Sequence, residues 1–332
     1  MIKRNYDLFG TYIEVQAETA SLDKSVHGFI GALECDEFTT DQNPFKLVLR
    51  HDEEIAQVEK HKIFFTGDVE PFGEFDFSRG ESGWSMYQEG SLVACFGNDD
   101  RYCEITALPD CRSSKIGITA AYALDHILGF ANQAMVHSAC VETRDGSGCI
   151  IIHAPSGMGK STFALALSCA GYRMCSDDTA VVGMDKQGKA QAWGFPRAAM
   201  ISNKTVELVP RVAPAVEGKK LTKRKKMPVS REVLLADNLL APPQIKPVVM
   251  VISFSRDKDN ICQWEKPDKY DAMMTLVEDN IHFGKHGFFP GHDLRMDLYA
   301  AMIASAIPIK LQVNNDLDEA VDTLCEMLEA TL

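Results

Sequence analysis

The chain lacks the features that would place it in a membrane or on a nucleic acid. Its longest apolar stretches, such as LYAAMIASAIPI, are far shorter than the ~20 residues that a membrane-spanning helix needs. The N-terminal MIKRNYDLFGTYIEV carries charges where a secretory signal would be apolar. Basic residues are outnumbered, with 34 Lys and Arg against 47 Asp and Glu. We therefore expect a cytoplasmic protein with neither a membrane nor a nucleic-acid partner.

Closely spaced cysteine pairs are also missing. The ten cysteines are scattered, and no two of them form a C-x-x-C pair. Free cysteine among apolar neighbours behaves as a small hydrophobic residue. We therefore predict reduced core thiols rather than disulfides or a zinc site. The cysteines with apolar neighbours include Cys140, Cys149, Cys169 and Cys175.

The chain contains no internal repeat or low-complexity segment, but its pattern changes near residue 115. Before that point, short segments rich in β-branched and aromatic residues alternate with turn signals, for example TYIEVQAE, FKLVLRH and SLVACFG. After it, helical and extended patterns alternate, which is typical of a sheet covered by helices. We predict an N-terminal α+β domain over residues 1–112 and an α/β domain over residues 113–332.

The second domain gives specific element predictions. We expect a helix from Lys115, a terminal helix over Leu317 to Leu328, and further helices around Tyr270 to Val277 and Asp293 to Ala304. Strands are predicted at MVHSACVE, CIIIHA, YRMCS, PVVMVISFS and IPIKLQV. The segment KSTFALALSCA is predicted to be a helix that stops at Gly171.

The stretch APSGMGKST follows the apolar segment CIIIH and opens the KSTFALALSCA helix. It matches the phosphate-binding P-loop, except that Ala154 stands where the first glycine usually is. In such a loop, backbone N–H groups and the helix N-terminus form a cradle for anions. The alternative is an ordinary glycine-rich turn with a solvent-facing lysine. We predict that this loop binds ATP through Ser156, Gly157, Met158, Gly159, Lys160, Ser161 and Thr162.

Two adjacent carboxylates, Asp177 and Asp178, follow the YRMCS strand. Mg²⁺ takes one or two carboxylates together with substrate phosphates, and a phosphoryl transfer needs a group that accepts the proton of the incoming hydroxyl. Two neighbouring carboxylates can divide these tasks. The alternative is a solvated turn.

The run from VHSACVE through GCIIIHAPSGMGKSTFALALSCAGYRMCSDDTAVVG resembles the catalytic domain of HPr kinase/phosphorylase. The C-terminal AMIASAIPIKLQVNNDLDEAVDTL looks like the end of shorter HPr-kinase-like proteins. The likeness covers about residues 134–325. It implies a P-loop kinase core of the type shared with phosphoenolpyruvate carboxykinase. It also implies that Lys160 binds phosphate, that Ser161 and Asp178 hold Mg²⁺, and that Asp177 is the catalytic base.

The resemblance further implies that His137 lines the site, although a histidine at a strand end is often structural. HPr kinases carry a Glu-Arg-Gly signature after the aspartate pair, whereas this chain reads AWGFPRAAMI, with Arg197 but no glutamate. We predict that Arg197 is catalytic together with Lys160, Asp177 and His137. GFPRAAMI is closer to HPr-kinase-related proteins, some of which phosphorylate peptides. The HPr substrate is thereby in doubt. The family also suggests a homo-oligomer.

Together, these patterns predict an ATP- and Mg²⁺-dependent kinase that transfers a phosphoryl group to a hydroxyl, such as Ser of a protein or peptide. One alternative is a small-molecule kinase whose pocket includes the segment NIHFGKHGFFPGHD, with His282, His286 and His292. Another is a regulator that senses a nucleotide without chemistry. The basic run KKLTKRKK, residues 219–226, is either a solvated loop or a flap over the site.

Overall fold

A computed structural model of the chain describes residues 1–38, 43–55, 62–69, 72–98, 101–222, 225–256, 262–280, 283–284, 287–288, 291–314 and 316–331. Within these ranges the protein is mixed α/β, with two large sheets and helices packed on them. No described helix combines the length and apolar character needed to cross a bilayer. The chain divides into two compact units, residues 1–134 with 282–294 and residues 135–281 with 295–332.

The described strands are β1 (Ile2–Leu8), β2 (Thr11–Ala17), β3 (Glu34–Cys35), β4 (Phe45–His51), β5 (Ile63–Asp68), β6 (Glu74–Arg79), β7 (Gly83–Gln88), β8 (Leu92–Gly97), β9 (Tyr102–Ala107), β10 (Gln133–Val136), β11 (Ala139–Glu142), β12 (Cys149–His153), β13 (Arg173–Ser176), β14 (Ala180–Met184), β15 (Ala190–Gly194), β16 (Ala199–Ser202), β17 (Lys226–Val229), β18 (Lys246–Arg256), β19 (Gln263–Glu265), β20 (Phe283–Gly284), β21 (Gly287–Phe288) and β22 (Ile307–Val313). The described helices are α1 (Ala20–Ile30), α2 (Ser113–Gly129), α3 (Lys160–Cys169), α4 (Asn203–Leu208), α5 (Ala213–Val216), α6 (Arg231–Ala236), α7 (Lys269–Asn280), α8 (His292–Ser305) and α9 (Leu317–Thr331).

The first unit is built on a nine-stranded sheet with the order β3-β1-β2-β4-β9-β8-β7-β6-β5. Its strands alternate between buried and partly exposed residues, so one face carries the core. In β2, for example, Ile13, Val15 and Ala17 are buried. Helices α1 and α2 pack on this sheet and on each other, which gives the unit its α+β character.

Helix α1 was not among the elements predicted from the sequence. Its signal is short: the Thr19 hydroxyl caps the helix by accepting a hydrogen bond from the Leu22 backbone N–H at 3.3 Å. Leu22, Val26 and Ile30 then recur at a spacing of four and are buried. The strand-like pattern of the flanking segments made this short helical spacing difficult to recognise in the sequence.

The boundary between the units differs from the prediction. The sequence placed it between residues 112 and 113, whereas α2 belongs to the first unit and the division falls between Ala134 and Met135. The physical reason is packing, because α2 contacts α1, β8 and β9. Residues 282–294, predicted to belong to the second domain, are also grouped with the first unit.

The second unit contains the sheet that carries the candidate site. Its order is β10-β14-β15-β18-β12-β11-β13, and β22 pairs with both β18 and β19. Strands β12, β18 and β22 are parallel, so their carboxyl ends meet at one edge. Helices α3 and α9 cover one face of this sheet with a continuous apolar core.

Most of the predicted elements of this unit are present, from the two strands that flank RDGSG to the terminal helix. The segment MVHSACVE is an exception, because it forms two strands that break at His137 and Ser138. There the His137 backbone N–H donates to the side-chain carbonyl of Asn280 at 2.7 Å instead of to a neighbouring strand. All ten cysteines are free, and Cys169, predicted to be a core residue, is exposed.

His126 on α2 provides a test of the first unit. Trp84 donates its indole N–H to His126 Nδ1 at 3.3 Å, and His126 Nε2 lies 2.9 Å from the Gly97 carbonyl. This pattern fits the neutral ring with its proton on Nε2, and burial lowers the pKa of His126 below the ordinary histidine value.

We therefore expect the free energy of unfolding to fall as the pH drops below about 6.5, because the unfolded chain then binds a proton that the folded ring resists. His126→Gln keeps a donor and an acceptor without titrating, and its stability should depend less on pH between about 5 and 7. NMR titration of the ring should give a midpoint below the ordinary histidine value. Identical pH slopes for both proteins would contradict this assignment.

Candidate functional site

The turn between β12 and α3, residues 154–159, is called here the glycine turn. Gly157 and Gly159 have φ of 84° and 108°, a conformation that glycine adopts without strain. Ala154 is not among the residues with positive φ, so an alanine fits where P-loops usually have glycine. Gly159 is the N-cap of α3, and the turn therefore delivers the chain directly into a helix N-terminus.

Lys160 is the first residue of α3 and is only 6% exposed. Its ammonium group donates a hydrogen bond to the carbonyl oxygen of Ala154, so the side chain folds back along the glycine turn. Its positive charge also lowers the pKa of Asp178, so the lysine acts on both the glycine turn and the aspartate pair.

The other predicted nucleotide-binding residues have different environments. Ser156 and Gly157 are exposed, while Met158 packs partly against the core. The Ser161 hydroxyl donates to the backbone carbonyl of Asp177 at 3.4 Å. Thr162 is buried, and its hydroxyl lies 2.9 Å from that of Thr205 on α4. This places the Thr162 side chain in the packing between α3 and α4, although its backbone N–H still belongs to the first turn of the helix.

Asp177 and Asp178 follow β13 directly and occupy contrasting environments. Asp177 is 3% exposed, and its Oδ2 accepts a hydrogen bond from the Met200 backbone N–H at 3.0 Å. Burial raises the pKa of Asp177, and the nearby charge of Asp178 raises it further. Asp177 Oδ1 makes no hydrogen bond with a residue that the structure describes.

Asp178 is more exposed and lies next to His137 and Arg197. His137 Nε2 lies 3.3 Å from its Oδ1, and Arg197 pairs with its Oδ2. Burial acts to raise the pKa of Asp178, but the hydrogen bond from His137 and the positive charge of Arg197 outweigh it and hold the pKa well below the usual range. Asp178 is therefore ionised, whereas its neighbour is biased towards protonation.

The structure thus brings together all four residues predicted to be catalytic. His137 precedes β11, Arg197 follows β15, and both reach Asp178 at the end of β13. The charge of Lys160 also lowers the pKa of Asp178, which connects the glycine turn to the aspartate pair. His137 therefore has Asp178 as a partner in the candidate site.

The hairpin of β16 and β17 holds Asp177 from the other side. Met200 of β16 supplies the N–H that bonds its carboxylate, and Lys226, the first residue of β17, pairs with Ser202 in the register of the hairpin. The positive charge of Lys226 lowers the pKa of Asp177 against the effect of burial. The end of the basic run therefore acts on the candidate base; Lys223 and Arg224 lie outside the described residues.

Buried groups fix the strand that presents the aspartates. Arg231 is buried, and its guanidinium donates to the carbonyl oxygens of Cys175 at 3.3 Å and Ala241 at 3.1 Å. Gly194 of β15 packs on the backbone of Cys175 so closely that a side-chain Cβ at this position would clash. The glycine of AWGFPR is therefore required because it packs against Cys175, which is two residues before Asp177.

Sequence reasoning missed Arg256, the last residue of β18. Its guanidinium lies against Gly159 at the start of α3. The only signal was its position, immediately after the buried segment PVVMVISFS. The reasoning also missed the hydrogen bond between His153 Nε2 and Ser253 Oγ, 2.7 Å long, at the ends of the paired strands β12 and β18.

A cavity of about 570 Å³ lies in the second unit, beside α7. Ser253 forms part of its wall, together with Lys310, Glu265 and residues of α7 that include Tyr270 and Thr275. The small-molecule hypothesis placed a pocket at residues 280–293, but His282 and His286 lie outside the described residues. His292 is buried in the first unit.

Comparison with protein families and with curated protein sequences found no match for this chain.

The residues present fit a hard divalent cation. The Ser161 hydroxyl and the carboxylates of Asp177 and Asp178 are oxygen donors, and the ionised Asp178 is the stronger ligand. Among the described residues there is no group of three His, Cys, Asp or Glu side chains suited to a metal. Mg²⁺ commonly takes its remaining ligands from substrate phosphates and water.

Replacing Arg197 with Gln tests the electrostatics of the pair. We expect the pKa of Asp178 to rise and the protein to lose about 1–3 kcal/mol of stability at pH 7, because a charged partner is removed from a part-buried carboxylate. The depressed pKa of Asp178 stabilises the fold above the usual carboxyl range, so the loss should shrink below about pH 4.

Denaturant unfolding at pH 7 and pH 3 measures both quantities. Arg211→Gln is the matched control, because Arg211 is an exposed arginine of the same unit whose contacts are with the Asp237 carbonyl and Cys169 and not with the aspartate pair. An equal loss of stability at both pH values would show that Arg197 acts through packing and not through the charge of Asp178.

Proposed function

We propose that this protein is an ATP- and Mg²⁺-dependent kinase with an HPr-kinase-like P-loop core, and that its acceptor is a hydroxyl such as Ser of a protein or peptide. The observation that carries the proposal is the convergence of the glycine turn and the aspartate pair. Ser161, in the first turn of α3, donates to the Asp177 backbone carbonyl at 3.4 Å, and the charge of Lys160 lowers the pKa of Asp178. The glycine turn thus lies in one site with two carboxylates, of which one has a raised pKa and the other a lowered pKa.

The glycine turn would bind the phosphates of the donor. Backbone N–H groups at the start of α3 point towards a bound anion, and the helix dipole favours negative charge there. Lys160 would leave the Ala154 carbonyl and pair with the β- and γ-phosphates. Mg²⁺, held by the Ser161 hydroxyl and Asp178, would neutralise phosphate charge and fix the geometry of the transferred group.

Asp177 would accept the proton of the acceptor hydroxyl. A raised pKa makes this carboxylate a stronger base than an exposed aspartate, and its Oδ1 has no hydrogen bond to a described residue. As the proton moves to Asp177, the acceptor oxygen forms a bond to the γ-phosphorus. The bond from that phosphorus to the β–γ bridging oxygen breaks, and its electron pair remains on the departing ADP.

Arg197 and His137 would set the state of Asp178. They keep it ionised and oriented, and both can move to phosphate oxygens when Asp178 binds the metal. Lys226 contributes positive charge next to Asp177, which supports the hypothesis that the basic run assists the transfer.

A small-molecule acceptor is the second candidate, and the cavity beside α7 favours it. Its volume of about 570 Å³ lies in the range of ligand sites, and its wall combines charged groups with hydroxyls. Ser253 in that wall is hydrogen-bonded to His153, one residue before the glycine turn.

Asp177→Asn is the decisive variant for the kinase proposal. We expect it to bind Mg-ATP within about twofold of the original protein but to lose about 10²–10⁴-fold in phosphoryl transfer, because the amide cannot accept the proton. Calorimetry measures binding, and phosphate transfer is followed with pools of peptides and metabolites as acceptors.

Two further variants serve as controls. Lys160→Ala should weaken nucleotide binding itself, whereas Asp237→Asn, an exposed aspartate of the same unit, should change neither quantity. Retained transfer in Asp177→Asn would remove this residue from the role of base. Tight ATP binding without transfer to any acceptor would favour the nucleotide sensor, and the absence of ATP binding would refute the kinase.

A further inference from the structure

Arg256 is a cation that faces the glycine turn, and among the described residues it has no acidic partner. Strand β18 runs parallel to β12 and extends three residues beyond the pair His153 and Ser253. At its end, Arg256 Nη2 lies 3.4 Å and its Cζ 3.8 Å from the position that a Cβ on Gly159 would occupy. The guanidinium therefore lies against the first residue of the α3 N-terminus.

Among the described residues, none forms an ion pair with Arg256, and its buried Nε has no hydrogen-bond partner. Lys160 and the positive end of the α3 dipole are also at this turn. Three positive elements therefore meet at one turn, and an anion bound between them would offset their mutual repulsion.

We propose that Arg256 is a further catalytic residue, whose guanidinium donates hydrogen bonds to the terminal phosphate of the bound nucleotide. This rests on the proposed kinase function. A guanidinium presents several N–H donors in a planar fork that matches phosphate oxygens, which a lysine cannot reproduce. Arg256 and Lys160 would then hold the terminal phosphate from two directions above the helix N-terminus.

The role of Arg256 would be strongest during transfer. When the bond between the γ-phosphorus and the β–γ bridging oxygen breaks, negative charge develops on the departing diphosphate while the acceptor proton passes to Asp177. A guanidinium fixed against the glycine turn stays hydrogen-bonded to the oxygens of the transferred phosphoryl group during this step and stabilises their negative charge without rearranging. Its position on a strand that is hydrogen-bonded along its length to β12 and β22 keeps it in place.

The end of β18 is also fixed independently of Arg256. Phe254 packs on Phe163 of α3, with ring centroids 4.9 Å apart, and the strand remains paired with β22 up to Val313. A substitution at Arg256 should therefore leave the fold intact, and its effects can be assigned to the missing guanidinium.

Calorimetry with Mg-ATP and Mg-ADP tests the proposal on the full chain. Arg256→Gln should weaken Mg-ATP binding about tenfold, a loss of about 1.4 kcal/mol, and weaken Mg-ADP binding clearly less, because the contact is with the terminal phosphate of ATP. Arg256→Lys should retain part of the difference in affinity between Mg-ATP and Mg-ADP. Arg211→Gln, the exposed arginine control, should bind both nucleotides as the original protein does.

The outcomes separate this inference from the proposed function. If the original protein binds Mg-ATP and Arg256→Gln binds it equally well, or loses ATP and ADP affinity to the same extent, the role of Arg256 is refuted while the kinase proposal stands. If the original protein binds no nucleotide, both are refuted. Circular dichroism and the thermal unfolding midpoint of each variant verify that it is folded.

Discussion

Two adjacent carboxylates at the end of a buried strand repel each other, and much of the second unit is arranged around that repulsion. Like charges this close cannot both remain ionised at low cost in a poorly solvated place. Here the environments differ: Asp177 is buried and biased towards protonation, whereas Asp178 is paired with His137 and Arg197 and stays ionised. The pair therefore contains one group suited to accept a proton and one suited to hold a cation.

The elements that surround the pair have roles that follow from this constraint. The β16–β17 hairpin supplies both the Met200 N–H and the charge of Lys226 to Asp177. Arg231 and Gly194 fix the backbone of Cys175 just upstream, one by hydrogen bonds to carbonyls and the other by the absence of a side chain. Displacement of that backbone would change both carboxylate environments together.

The opposite charge is concentrated at the glycine turn. Lys160 is the first residue of α3 and Arg256 ends β18, and both place positive charge at the N-terminus of α3, close to the two carboxylates. A phosphate bound at the turn would balance this positive charge.

The sequence by itself determined the local chemistry of the second unit. The strand–turn–helix of CIIIHAPSGMGKST follows from its apolar run and its glycines, and the placement of Asp177 and Asp178 after a strand follows from YRMCS. Only the tertiary structure decided which distant groups meet. Sheet pairing and close packing bring four distant side chains to the site: Arg197, Lys226, Arg231 and Arg256. Neither sheet pairing nor close packing leaves a periodic pattern in the sequence. The same reason explains why α2 joined the first unit: its apolar pattern predicted a helix, but its partners α1, β8 and β9 were determined by packing over long separations in sequence.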